Sequence, residues 1–205
     1  LARVGEIAEG TVESRDALRS IARIYQNELE LPERAIDAYT QLITTWPDDH
    51  EAWAALDSLY TENARWSELG DVLRRRAALA RDPTERAQLL ARRAQVLLEW
   101  LKSPEEAAAA LRHARTIAPE DAGLADQLVN ALVKGNRERE AAAILEGRIA
   151  LLTAPQPDPN LVGDTTNPVP RGELAALYIR LAQLRLEKLD DRAGARAAVD
   201  QALVL

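Results

Sequence analysis

The sequence overlays itself without a gap when shifted by 72 residues, and this self-similarity restricts the fold more than any single motif does. The shift lays LPERAIDAYTQLITTWPDD (31–49) on SPEEAAAALRHARTIAPED (103–121), with Pro32 on Pro104, Pro47 on Pro119, Glu33 on Glu105, Ala35 on Ala107 and Asp49 on Asp121. The register then holds onward, placing Arg65 on Arg137, Glu68 on Glu140, Leu73 on Leu145 and Arg76 on Arg148. A third copy follows at a shift of 88 from the second, with Leu90 on Tyr178, Ala94 on Ala182, Ala107 on Ala195, Leu111 on Val199 and Ala114 on Ala202. The additional 16 residues fall in one place, PQPDPNLVGDTTNPVP (155–170). A unit of 72 residues that halves into two hairpins of about 36 has the period of a helical solenoid.

Within each half, apolar residues recur at helical spacing. Leu18, Ile21, Ala22, Tyr25 and Leu29 share one predicted face, as do Leu90, Ala94, Leu97 and Leu101. The starts carry their own chemistry. Asp82-Pro83-Thr84-Glu85 and Ser103-Pro104-Glu105-Glu106 each supply a capping side chain, a proline at the first helical position and a glutamate at the third. Asp48 and Glu51 repeat the pattern without proline, and Gly135-Asn136 offers a left-handed glycine followed by a capping asparagine. The spacing predicts helices near 1–9, 12–30, 32–46, 49–63, 66–81, 84–102, 104–118, 120–134, 137–152, 172–188 and 191–205, with no strand signal. These pair into hairpins at about 12–47, 48–81, 83–119, 120–152 and 172–205, a single all-α array.

Composition sets what such an array is built from. Among the 205 residues there are 38 Ala, four Trp and four Tyr, but no Phe, Met or Cys. Small side chains in that number call for closely packed helices, and disulfides, thiolate metal sites and cysteine nucleophiles are excluded. Basic residues are 23 Arg and only 3 Lys against 33 acids, for a net charge of −7, which disfavours generic attraction to a nucleic-acid backbone. No run reaches the roughly 18 apolar residues of a membrane helix, so membrane insertion of this segment is not expected. Leu1 to Ala8 reads as the tail of a helix whose beginning is missing, so a fragment of a longer protein is expected, with self-association through its truncated, apolar ends.

The order of large, small and closing-proline positions resembles the tetratricopeptide repeat. The first hairpin has Leu18, Ile21, Ala22, Tyr25, Ala35, Tyr39 and Pro47; the second has Trp53, Leu56, Tyr60, Arg65, Trp66 and Leu73; the third has Ala94, Leu97, Ala107, Leu111, Ala114 and Pro119. The chain departs from the pattern by one extra residue in the first and third hairpins, by Asp57 at a Gly or Ala site, and by weak fourth and fifth hairpins. Sel1-like repeats, of similar period, are resembled less, because glycine is scarce at the junctions. The Ala and Arg bias is similar to that of arrays in large proteins of high-GC bacteria. The resemblance implies a right-handed superhelix whose concave face, lined by the first helix of each hairpin, binds a protein or peptide without catalysis. It places Arg19, Arg23, Glu51, Ser58, Arg92, Gln95, Arg180 and Gln183 near that face. Arg23, Arg92 and Arg180 could fork onto carboxylates of an acidic peptide. The family's Lys/Asn clamp for a C-terminal carboxylate is absent: Arg19 with Arg23, Ala54 with Ser58 and Ala91 with Gln95 stand in its places.

Nothing in the sequence competes as a reaction centre. His50 and His113 are 63 residues apart, no phosphate loop or nucleophile elbow occurs, and paired acids such as Glu105-Glu106 and Asp190-Asp191 sit at predicted helix starts, where the dipole favours them. No cofactor, metal or catalytic residue is therefore expected. Arg74-Arg75-Arg76 closes a predicted helix and reads as a solvated face. Trp53 and Trp66 fill large apolar sites, Trp46 covers a hairpin junction, and Trp100, about 80° off its stripe, packs on a neighbouring hairpin or faces a partner. The insertion 155–170 is either a spacer or a partner-contacting loop. The reading is a protein-interaction scaffold binding a peptide or partner protein through the concave face or the inserted loop; the alternative is a regulatory or assembly segment of a larger multidomain enzyme or signalling protein.

Overall fold

The computed structural model describes residues 11–154 and 171–205; the expected helix tail 1–9 and the insertion 155–170 lie outside the described residues. The chain divides into two compact units, Leu1–Glu120 and Asp121–Leu205. The first holds α1 (Val12–Arg23, running into a π-helical turn, Ile24–Glu28), α2 (Pro32–Thr45), α3 (His50–Glu62), α4 (Trp66–Leu79), α5 (Pro83–Glu99) and α6 (Pro104–Ile117). The second holds α7 (Ala122–Lys134), α8 (Glu138–Thr153), α9 (Arg171–Lys188) and α10 (Arg192–Val204). Every helix starts within two residues of its predicted position, and no strand occurs among the described residues.

Inside each unit a helix packs on the one before it and the one after it, from α1 through α6 and from α7 through α10. Alanine makes this stacking close. Ala22, Ala35, Ala52, Ala94, Ala107, Ala114, Ala131 and Ala141 are fully buried, interleaved with Leu42, Leu56, Leu73, Leu111 and Leu145. The small residues let backbones approach while each buried leucine removes apolar surface worth about 1.5–3 kcal/mol. Trp53 and Tyr39 supply the bulk that phenylalanine would supply elsewhere, and both are buried.

The link between the two helices of each hairpin follows one design. A single residue enters the left-handed region: Glu30 (φ 50°), Ala64 (53°), Lys102 (53°), Asn136 (54°) and Asp190 (51°). The next N–H then closes on a carbonyl of the first helix, from Leu31 to Tyr25, Arg65 to Tyr60 and Arg137 to Leu132 at 2.8 Å, and from Ser103 to Leu97 and Asp191 to Arg185 at 2.9 Å. The closure reaches back six residues in the first, third and fifth hairpins and five in the second and fourth. The extra residue of the first and third hairpins is therefore absorbed in the turn, not in the helix packing. In α1 it forms the π-helical turn, which rotates the register so that Leu29 leaves the predicted apolar stripe and is exposed.

Three local expectations need correction. Asn136, not Gly135, takes the left-handed conformation, because the closure onto Leu132 places the bend one residue later. The cap of α3 is Asp49, whose carboxylate accepts the Ala52 N–H at 3.0 Å, and not Asp48. Ser103 makes no capping hydrogen bond; its hydroxyl turns back to the Leu101 carbonyl at 3.3 Å. Asp82 caps α5 as expected, accepting from Thr84 and Glu85.

Ala64 holds its left-handed conformation with an unfavourable Cβ, a cost of roughly 1–2 kcal/mol. Replacing it by glycine removes that cost and loosens the unfolded chain by about 0.4–1 kcal/mol. Ala64→Gly is expected to raise stability by about 0.5–1 kcal/mol, read from the urea midpoint at unchanged slope; a lower midpoint would contradict the turn geometry.

Candidate functional site

The first helices of the hairpins carry the polar side chains that the sequence singled out, and in each unit these are held by ion pairs from one first helix to another. At the start of α3, Asp49 is 1% exposed and takes the Arg15 Nε at 2.9 Å and the Arg19 Nη2 at 2.6 Å on one oxygen. Burial works against the charged form, but the Ala52 N–H and the two guanidiniums outweigh it and hold the Asp49 carboxyl below the usual range. The hydrogen bond to Asp49 in turn raises Arg19 above its ordinary value. One turn on, Arg23 Nε donates to Glu51 at 2.7 Å, and its Nη2 also pairs with that carboxylate.

From the other side, α5 reaches α3 through Arg92, whose Nη2 lies 2.5 Å from Asp57 Oδ1. Asp57 occupies the small-residue position of the repeat and is 6% exposed, so burial pushes its carboxyl up, with Arg92, Arg76 and Thr61 pulling the other way. Gln95 donates to Glu99 at 3.1 Å and Ser58 to Glu62 at 2.7 Å, leaving a polar face with its groups tied in place.

The second unit repeats the device with other acids. Arg180 Nη1 on α9 donates to Asp126 of α7 at 2.6 Å and its Nη2 to Asn130 at 2.7 Å. Arg148 of α8 bridges Asp126 at 2.8 Å and Glu173 at 2.7 Å. Gln183 is exposed.

Thus Arg19, Arg23, Arg92 and Arg180 do not stand as free forks; each already holds a carboxylate of its own chain. Trp100, expected to find core packing or a partner, is 52% exposed and stacks face to face on Trp66, with centroids 4.2 Å apart and planes 10° from parallel. The three consecutive arginines divide their work: Arg74 pairs with Asp71, Arg75 lies 5.7 Å over the Trp53 ring, and Arg76 donates to Glu85 at 2.9 Å. His50 and His113 are exposed, and no group of three His, Asp or Glu able to hold a metal ion occurs among the described residues.

Sequence reasoning missed the acids Asp49, Asp57 and Asp126 and the helpers Arg15 and Arg148 as parts of this network. One signal was present. Arg76 and Glu85 correspond to Arg148 and Glu173 under the repeat shifts, and both pairs bond, so matched opposite charges at repeat-equivalent positions mark a bridge between hairpins.

Two cavities border these networks. One of about 640 Å³ lies in the first unit between the α2–α3 and α4–α5 links. The other, of about 350 Å³, lies among α8, α9 and α10, where Glu146 and Arg185 pair at 2.7 Å.

The raised carboxyl of Asp57 fixes the sign of a pH effect. Its ionised form is disfavoured in the fold, so the penalty is present in full above the folded value and fades as pH falls toward the unfolded value. Removing the charge leaves no buried orphan, because Arg92 is half exposed and can turn to water. Asp57→Asn is expected to gain on the order of 1 kcal/mol at pH 7. That gain should shrink as pH falls toward the ordinary carboxylate value of about 4 in paired urea titrations; a loss at pH 7 would mean that the ion pair is net stabilising.

The family model of the tetratricopeptide repeat matches residues 52–87, which run from α3 into α5. No curated protein sequence matches the chain. Among solved structures the chain is similar to the MamA protein, with 16% identity, 94% of this chain and 92% of that one covered and a TM-score of 0.56. It is also similar to the segment of MamA from residue 41 to its end from Desulfovibrio magneticus RS-1, with 16% identity, 93% and 94% coverage and a TM-score of 0.52. YrrB, described as a TPR protein with an unusual peptide-binding site, is similar at 15% identity, 98% and 90% coverage and a TM-score of 0.54. With hairpins joined by a repeated turn and closed by alanine and leucine, this chain has the fold of a tetratricopeptide-type helical array, and one stretch of it, 52–87, matches the family's model.

Proposed function

We propose that this chain is a protein-binding scaffold whose first-helix rows, one in each unit, engage a peptide or partner protein. The observation that carries the reading is the polar face of α1, α3 and α5, held in place by internal ion pairs instead of free to collapse. A preorganised face of this kind loses little side-chain entropy on binding. The likeness in fold to YrrB, itself described as having a peptide-binding site, supports the reading. Arg23, Arg92, Gln95, Gln183 and the exposed ring of Trp100 are the proposed contacts, with Arg19 and Arg180 as positioning groups.

Because the arginines are already paired, an acidic ligand would exchange one carboxylate for another and gain little net attraction. Binding by these rows is therefore expected to depend on shape and hydrogen bonds more than on charge, with weak sensitivity to salt. A second feature favours self-association: Leu203 and Val204 on α10 are 79% and 84% exposed.

The test is affinity capture from extracts of the source cell with the full chain, compared with a triple variant carrying Arg92→Ala, Gln95→Ala and Trp100→Ala. Loss of the captured partner at unchanged helical circular dichroism is expected. Equal capture by both chains would remove the first-unit row as the contact surface.

A further inference from the structure

Inside each unit the second helix of a hairpin is covered by the first helix of the next, and the residues that meet there recur at fixed places. Counted from the residue whose N–H closes the turn, the fifth, eighth and twelfth positions are Ile36, Tyr39 and Ile43 on α2, Gly70, Leu73 and Ala77 on α4, and Ala142, Leu145 and Ile149 on α8. Every one of them is buried. This face looks at the following first helix: a Cβ on Gly70 would lie 3.7 Å from the Leu101 side chain, just beyond α5. On α10 the same three places hold Arg196, Val199 and Leu203, and all are exposed, Val199 by 43%.

The first helices carry the matching face. Glu85 on α5 and Glu173 on α9 each take an arginine of the preceding second helix, and about three turns further along the same side Val96 and Leu184 are buried. The repeat shifts put Glu13 and Ile24 of α1 at these places and Leu29 at the place of Leu101. Ile24 is 49% exposed and Leu29 53%. Thus α10 lacks the cover that α2, α4 and α8 have, and α1 exposes the side with which α5 and α9 supply it.

Charge agrees with this fit. In the register that Gly70 and Leu101 define, Arg196 would face Leu29, which stands between Glu28 and Glu30. Both glutamates are exposed, and among the described residues neither makes an ion pair. Arg196 lies 4.0 Å from Asp200, at the outer limit of pairing, and is itself open to solvent.

We propose that α10 of one copy of this chain takes α1 of a second copy, in the arrangement by which α4 takes α5. The proposal rests on the self-association favoured above by the exposed end of α10, and it names the two surfaces. Val199 and Leu203 receive the side of α1 that carries Ile24, and Arg196 reaches Glu28 and Glu30. Apolar side chains leave water on both copies, and the guanidinium gains carboxylates at the rim. The joined surfaces are different, so the contact is heterologous and each pair keeps one free face of either kind.

The experiment is analytical ultracentrifugation of the full chain and of three variants: Val199→Glu with Leu203→Glu on α10, Ile24→Arg on α1, and Arg196→Glu. The substituted side chains are exposed, so helical circular dichroism should not change. The native chain is expected to gain mass with concentration, and the α10 and α1 variants are each expected to stay monomeric alone. Their mixture should form a one-to-one dimer that grows no further, because each chain keeps the face that the other has lost. Arg196→Glu should weaken association about tenfold. A native chain that is monomeric at every concentration would overturn both this proposal and self-association. Association that survives in Ile24→Arg alone, as when two α10 faces meet, or a mixture that stays monomeric, would overturn the α10-to-α1 contact and leave self-association standing; unchanged association of Arg196→Glu would overturn the register.

Discussion

A two-helix hairpin of this length cannot bury its own apolar stripe, so each hairpin is stable only against the next. That dependence explains why alanine dominates the interior. The second face of a helix is always met by another helix backbone, and Ala35, Ala94, Ala107 and Ala114 let that backbone come close. It also explains why the turn within each hairpin is repeated so closely. A change in the angle between paired helices would misalign every subsequent contact, and the left-handed residue with its closing hydrogen bond fixes that angle. Where an extra residue occurs, the turn takes it up and the stack is left undisturbed.

The same dependence governs the polar side chains. With small residues holding neighbouring hairpins close, the long arginines lie along the edges and reach the acids of the adjacent hairpin in the same unit. Asp49 shows how strong this arrangement becomes, since two guanidiniums and a backbone N–H keep a buried carboxylate ionised. Asp57 shows its limit, because one half-exposed arginine does not offset burial. An arginine-rich face that looks basic in sequence is therefore close to neutral in the folded units.

Much of the fold was legible from the residues. The 72-residue self-match, the alanine-leucine spacing and the proline and acidic starts placed the helices to within two residues of where they begin. What was misread is local. Leu29 was assigned to a stripe that the π-helical turn rotates away, and Gly135 to a conformation that falls on Asn136. Each of these depends on where a turn closes, and one residue of difference there moves a side chain by about 100° around a helix.

The division of labour follows from range. Helix content and hairpin order are properties of residues a few positions apart, and the sequence alone determined them through spacing, capping and repetition. Which carboxylate each arginine grips was decided by the tertiary structure. Arg92 and Arg180 are equivalent in the repeat, yet one holds Asp57 and the other Asp126, whose positions in their helices differ by nearly a turn. A guanidinium on a long stem can reach several acids on an adjoining helix, and only the stacked geometry selects among them.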